Sequence, residues 1–313
     1  VKTGARDYEH FTMSGRIAAS GSVTSLTDGN GNDSEVTIGE KCYYGMFWEC
    51  KSLTTAPELP AVNLAKQCYA YMFYGCTNLT TAPKLPATVL AENCYEEMFN
   101  ACKSLTTAPK LPAREAKKSC YEQMFYDCKK LVKAPDVLPA TTLADYCYHL
   151  MFYGCSALQA APELPATNLA YSCYSNMFTG CSTLKEVPTL PATILAEECY
   201  KEMFSGCKGL STVPALPATT LADNCYNGMF KNCQKLSMRG ESNKSNEHTE
   251  QWEIPANNTG AVTGWNTNMF ACDAGISNDV NLDGNASKEP QANVTYYQKG
   301  STSGGETHTH AFN

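Results

Sequence analysis

The sequence predicts an α/β solenoid, a stack of short units that each run strand, extended return and helix. Two observations predict it. Cysteines fall in eight pairs, from Cys42 and Cys50 to Cys225 and Cys233, always eight residues apart within a pair. From pair to pair the spacing is 26, with a single 27 between Cys120 and Cys147. The residues around them repeat as well, as C-Y-x-x-M-F-x-x-C-x-x-L-x-x-A-P-x-L-P-A-T-x-L-A. A fixed period of this length marks a stack in which each unit buries its apolar face on its neighbours.

The segment from Leu79 to Cys102 shows the physics of one unit. Leu79-Thr80-Thr81-Ala82 has the branched residues of a short strand, and Pro83 then removes an amide donor, so the strand cannot run on. Pro86 keeps the return extended. Thr88 is placed to cap a helix, and Glu92 lies in its first turn, where it complements the dipole. At 100° per residue, Leu90, Ala91, Cys94, Tyr95, Met98 and Phe99 form one stripe about 180° wide, with Glu96 and Glu97 outside it. The slot before the second cysteine holds Gly75, Gly154, Gly180 and Gly206, with Asp127 and Asn232 in two more copies. These residues tolerate the left-handed conformation of a helix C-terminal cap.

The phrases Glu35-Val36-Thr37-Ile38-Gly39-Glu40 before Cys42, and M-F-x-G-C-x-x-L in several units, resemble BspA-like leucine-rich repeats of bacterial surface proteins, here in a 26-residue variant. The resemblance covers roughly residues 35–236. It implies a right-handed solenoid with a parallel sheet on one side, used for binding rather than catalysis. The expected organisation is a β-rich N-terminal cap over 1–40, the eight-copy solenoid over 41–236, and a degenerate C-terminal cap with a polar tail over 237–313. Residues 8–26, with Phe11, Met13, Ile17, Val23 and Leu26, read as the strands of the first cap, followed by a turn-rich loop at 28–33. Met269-Phe270-Ala271-Cys272 echoes the repeat and reads as the last coil.

The sixteen paired cysteines allow three readings: free buried thiols in two ladders, bridges between adjacent coils, or metal ligands. Partners within a unit cannot bridge, because eight helical residues separate their Cα atoms by about 12 Å. No C-x-x-C, the usual zinc pairing, occurs. The columns of Tyr43, Tyr69, Tyr95 and their equivalents, and of the Met and Phe residues that follow, read as core, with the tyrosine hydroxyls finding backbone partners or water.

Of 313 residues 43% are hydrophobic and 18% charged, and the formal charge is −7. The acidic balance excludes a nucleic-acid partner, and no apolar run is long enough for a membrane span. Val1-Lys2-Thr3 opens without an apolar leader core, so any secretion signal is expected to have been removed or never part of the chain. An enzyme is not expected: there is no G-x-S-x-G, H-E-x-x-H or phosphate loop, and His10, His149, His248, His308 and His310 form no cluster in sequence.

Candidate contact residues come from positions that vary between copies. Trp48, Tyr74, Tyr126 and Tyr153 share one outward slot with Asn100, Thr179, Ser205 and Lys231, and Tyr44 and Tyr71 lie nearby. Such a row suits stacking on sugar rings or anchoring a protein; the alternative is that the rings fill gaps between splayed helices. The strand side looks mixed in sign. Residues 113–117 depart from the repeat, and one residue is inserted near Asp136-Val137, which predicts a kink or looser packing there. Asp279, Asn281 and Asp283 match the start of a calcium loop, but position twelve is Pro290, which favours a plain turn over a calcium site. His308 and His310 in the tail resemble the H-x-H metal-binding segments of phage fibres, against which stands a flexible tail.

Two functions fit. The first is a non-catalytic extracellular or cell-surface protein that adheres to a host or microbial surface protein or glycan. The second is a structural or receptor-binding component of a phage virion or surface filament, able to oligomerise through the C-terminal tail. No cofactor is expected beyond the calcium alternative.

Overall fold

A computed structural model of the chain describes residues 14–23 and 38–300. Phe11, Met13, Leu26, the 28–33 loop, His10 and the tail pair His308 and His310 lie outside them.

Successive coils stack along one axis, each supplying a wall to the next. With coil 1 beginning at Cys42 and coil 8 at Cys225, two columns of parallel bridges run down the stack. The first links Thr55 to Thr81, Thr107 to Lys133, Lys133 to Ala160 and Ala160 to Glu186. The second links Asn63 to Val89, Glu115 to Thr142, Thr142 to Asn168, Asn168 to Ile194 and Ile194 to Thr220. Most are single-residue contacts because the prolines that follow, such as Pro83 and Pro109, withdraw the next donors. At the N-terminal end β1 (Ile17–Ala18) pairs in parallel with β2 (Leu53–Thr55), Ser22 bridges Glu58, and Val23 is buried.

The expected short helices are not there. Among the described residues the only helical segments are two single 3₁₀ turns in the C-terminal part, Glu241–Asn243 and Thr259–Ala261. From one cysteine of a pair to the other the chain instead forms a ribbon of overlapping tight turns. In coil 2 the amides of Cys68, Ala70, Met72, Tyr74 and Cys76 each donate to the carbonyl three residues back. The alternate amides, Gln67, Tyr69, Tyr71, Phe73 and Gly75, donate across to Glu92, Cys94, Glu96, Met98 and Asn100 of the next coil, at 2.8–3.1 Å. An α-helix would consume all these donors within itself; the ribbon gives half of them to its neighbour.

The geometry needs a left-handed residue at every fourth position, and Gln67, Tyr71 and Gly75 have φ of 54°, 59° and 68°. The left-handed conformation expected at Gly75, Gly154, Gly180, Gly206, Asp127 and Asn232 is present. It belongs to a repeating turn, however, and not to a helix end. Each non-glycine residue so placed costs about 1–2 kcal/mol, offset by inter-coil hydrogen bonds worth roughly 1 kcal/mol apiece and by the packing they enforce.

A strict four-residue repeat brings like side chains into register. Tyr43, Tyr69, Tyr95 and onward to Tyr226 stack with centroids 5.4–5.9 Å apart and planes within 13°. The phenylalanine column runs from Phe47 through Phe230 to Phe270, the last step at 5.5 Å. Thr263 to Ala271 accordingly form a ninth ribbon, whose carbonyls accept the amides of Asn224, Tyr226, Gly228, Phe230 and Asn232. The anticipated kink does not appear in the columns: Tyr95, Tyr121 and Tyr148 are spaced 5.8 and 5.4 Å. The extra residue is absorbed by an added bridge, Val137 to Glu163, with Leu138 N–H on the Glu163 carbonyl at 3.0 Å.

The second cysteines of the pairs, from Cys76 on, are interior thiols with hydrogen-bonding work. The Sγ of Cys76 donates to the Phe47 carbonyl at 3.0 Å, and Cys102, Cys128, Cys155, Cys181, Cys207 and Cys233 repeat the contact to the phenylalanine of the preceding coil at 3.1–3.2 Å. That carbonyl also takes the amide of its own coil's second cysteine, for example Cys76 N–H on Phe73 at 3.1 Å, so both lone pairs are used. Of the tyrosine hydroxyls, that of Tyr43 donates to the Val23 carbonyl at 3.1 Å.

The stack closes on a four-stranded sheet of order β4-β6-β3-β5, formed by β3 (Ser237–Arg239), β4 (His248–Trp252), β5 (Asp279–Asn281) and β6 (Tyr296–Lys299). The closing segment supplies side-chain acceptors where a regular return of coil 8 and a tenth ribbon would have supplied carbonyls. Gln298 Oε1 takes the Val213 amide at 3.0 Å, Asn258 Oδ1 the Leu221 amide at 2.7 Å, and Glu289 Oε1 the Asn268 amide at 3.0 Å. Trp252 is buried against Phe270 and donates its indole N–H to the Pro214 carbonyl at 2.9 Å.

Candidate functional site

The predicted aromatic residues all lie on the outer face of the ribbon and are half-buried, but they do not form one continuous row. Trp48 stacks on Tyr74 with centroids 4.3 Å apart and on Tyr71 at 5.3 Å, and Tyr44 tilts onto Tyr71 at 5.2 Å. Tyr126 and Tyr153 form a separate parallel stack at 4.6 Å. Between the two, Asn100 is only 6% exposed and turns its amide onto Glu97 Oε2 at 2.9 Å. Part of each ring face is therefore spent on its neighbour, as the gap-filling alternative requires, and ring edges remain for a partner.

Sequence reasoning missed the carboxylates beside this cluster. Position two after the first cysteine is Glu96 in coil 3, Glu122 in coil 4 and His149 in coil 5, and stacking places them one above another. Tyr71 Oη donates to Glu96 Oε1 at 3.4 Å, Asn93 Nδ2 donates to Glu96 Oε2 at 3.0 Å, and His149 Nδ1 lies 3.1 Å from Glu122 Oε1. Burial, reinforced by the Glu122 charge, pushes Glu96 up to about 7, and burial raises Glu97 as well. A register argument on the repeat would have found them, since the copy-to-copy columns are readable in the sequence.

The Asp279, Asn281 and Asp283 set is occupied by protein donors. Asp279 takes Arg239 at 2.6 Å and Ser237 at 2.6 Å; Asp283 Oδ1 takes the Ser242 amide and hydroxyl and the Asn243 amide; Asn281 Oδ1 takes Asn243 and Gly284 N–H. These bonds tie the 279–284 turn to the 237–243 segment. A Cβ on Gly240 would come within 2.2–2.3 Å of the Asp283 carboxylate and force that side chain out of its present position.

One constellation joins the residue types of a hydrolase. Ser237 Oγ donates to Asp279 Oδ2 at 2.6 Å and lies 3.0 Å from His248 Nε2, while Ser245 Oγ holds His248 Nδ1 at 2.8 Å. The wiring is wrong for nucleophile activation: the carboxylate binds the hydroxyl, not the far imidazole nitrogen. Ser237 and His248 are also buried, at 6% and 5% exposure, and burial together with Arg239 lowers the histidine's affinity for a proton. The network fastens β3, β4 and β5.

No helix among the described residues is long and apolar enough to cross a membrane. No curated protein matches the chain. A leucine-rich repeat protein from Bacteroides ovatus, known from a crystal structure, is similar at 17% identity over 61% of this chain and 67% of that one, with a TM-score of 0.25. Residues 36–160 and 145–248 match the model of the BspA type leucine rich repeat region. With the match spanning most of the stack described above, the chain belongs to the BspA-type leucine-rich-repeat family.

Proposed function

We propose that the protein is a non-catalytic binding module, displayed outside the cell or on its surface, that docks a surface protein or glycan on the ribbon face of coils 1–4. The family supports a protein-binding role. The observation that carries the reading is the four-ring cluster of Trp48, Tyr44, Tyr71 and Tyr74, set beside Glu96 and Glu97. Neither carboxylate has a lysine or arginine within ion-pair reach among the described residues. Aromatic edges next to carboxyl groups that lack a cationic partner suit a segment that presents Lys or Arg, whose arrival would favour the ionised form and add cation–π and charge-assisted contacts. The residue network argues against hydrolysis, since Ser237 is buried and takes the Asp279 carboxylate itself, while the far imidazole nitrogen of His248 is held by Ser245 and not by a carboxylate.

The test is a glycan and matrix-protein array probed with wild type, Trp48→Ala and Tyr74→Ala, with folding checked by circular dichroism. Hits that weaken at least tenfold in both variants are expected, as for hot-spot aromatics worth about 1–2 kcal/mol or more. Hits unaffected by either change, in folded variants, would remove the ribbon face from the reading. The virion alternative rests on His308 and His310, outside the described residues, and gains no support from the coils.

A further inference from the structure

The strand side of the solenoid is not evenly mixed in charge. Between residues 103 and 133 there are eight basic and three acidic residues, in a chain whose formal charge is −7. The fold lays these basic residues around the non-ribbon perimeter of coils 3 and 4. Lys103, Lys129 and Lys130 sit where the chain leaves the ribbon, Lys133 lies in the first bridge column against Thr107, and Lys84 and Lys110 share the slot after it in coils 2 and 3. All six are exposed. Lys129 and Lys133 meet carboxylates, Asp127 and Asp136, only in loose surface pairs at 3.4 Å. Such pairs are worth little and exchange readily. Lys84, Lys103, Lys110 and Lys130 have no carboxylate in ion-pair range among the described residues.

The strip has direction. In the slot of Lys84 and Lys110 the columns turn acidic at Glu58 above and Asp136 and Glu163 below, and Glu186 continues the bridge column of Lys133. The cationic band therefore runs along the coils, across the solenoid axis, and is only two to three coils high, about 10–15 Å at strand spacing. From Lys103 to Lys110 it is at most about 23 Å long. Thr106 and Thr107 are exposed between the lysines, and the one exposed large apolar side chain among them is Val132. A narrow band between acidic margins repels a broad polyanion such as duplex nucleic acid. It fits a single linear chain carrying one negative group per sugar or so.

We propose that this band binds an anionic polysaccharide, its sulfate or carboxylate groups meeting Lys84, Lys103, Lys110, Lys129, Lys130 and Lys133 and its hydroxyls meeting the threonines. The band starts at the edge where the chain leaves the ribbon and runs on to the bridge columns; it shares no residue with the aromatic cluster and stands or falls independently of it.

The experiment measures binding of the full chain to immobilised heparin as the sulfated probe and polygalacturonate as the carboxylate probe. Dextran, polyglutamate and duplex DNA are the comparison arms. Two charge-matched variants are included: Lys103→Glu/Lys110→Glu/Lys130→Glu on the band and Lys185→Glu/Lys208→Glu/Lys235→Glu outside it. Expected is saturable binding to one or both anionic polysaccharides and none to dextran. Salt should weaken it steeply, and the band variant should lose roughly tenfold or more in affinity against less than about twofold for the control. Which polysaccharide wins identifies the anion. No binding to either at low salt, equal losses in both variants, or polyglutamate or DNA bound as tightly would overturn the proposal.

Discussion

Alkali should dismantle this protein in a narrow pH interval. Fourteen thiols, from Cys68 to Cys233, have no exposed surface. Burial pushes Cys68, Cys173, Cys225 and Cys233 up to about 12, from an ordinary value near 9, and moves the others the same way. The folded chain thus holds these protons more tightly than the unfolded one. The stability this represents is complete below pH 9 and is lost as pH rises from there through 12. Each thiol that ionises only on unfolding steepens the loss by ~1.4 kcal/mol per pH unit, so a coil with two loses ~3 and the whole array ~20 kcal/mol per pH unit. A typical total stability of about 5–15 kcal/mol would be gone roughly one pH unit above the free-thiol value, near pH 10. The buried tyrosines, raised by the same desolvation, act in the same direction. Far-ultraviolet circular dichroism and thiolate absorbance, followed against pH under reducing conditions, should change together in one steep step. Thiolate appearing gradually from about pH 8.5 with the fold intact would show that the sulfurs are not buried. A fold that survives to about pH 11 with no thiolate would mean that the linkage argument is wrong, or that the sulfurs are bridged.

Three further substitutions probe the ribbon. Cys102→Ala removes a fully buried sulfur and its bond to the Phe73 carbonyl, and should cost about 2 kcal/mol in urea unfolding, whereas Cys42→Ala, at an exposed site, should cost less than about 0.5. Ala101 has φ of 58° in the slot that holds glycine in coils 2 and 5–7, so Ala101→Gly should stabilise the fold by about 1 kcal/mol; a loss in the same assay would contradict the turn geometry.

The stack itself was legible because a 26-residue period has no explanation in a single non-repeating core. The helix was not, and the reason lies in numbers that were already visible. Cys68, Met72 and Cys76 recur every four residues, as do Tyr69 and Phe73. An α-helix would rotate such a set by about 40° at each step, spreading it into a broad stripe that reads as amphipathicity. The glycine, asparagine and aspartate residues also recur at four-residue intervals, as at Asn224, Gly228 and Asn232, which a helix does not tolerate well. The six aromatic candidates share the outer face because their slots recur with the period, but their mutual stacking depends on inter-coil register. Nor could the closing role of Gln298, Asn258 and Glu289 be read from composition, since each acts on a residue 21 to 85 positions away.

The amide bonds between ribbons all point one way: amides of one coil reach carbonyls of the next, from Lys41 on Lys66 to Asn232 on Ala271. Every joint is the same joint, so a duplicated 26-residue segment spliced between any two coils would find acceptors below it and donors above it without further change. The array can lengthen or shorten by whole units at low risk to the fold. Its terminus cannot migrate. Against the last ribbon Glu289 offers only an acceptor, for the Asn268 amide, and the leading ribbon already presents carbonyls, so the same closing segment grafted to the front would set oxygen against oxygen there.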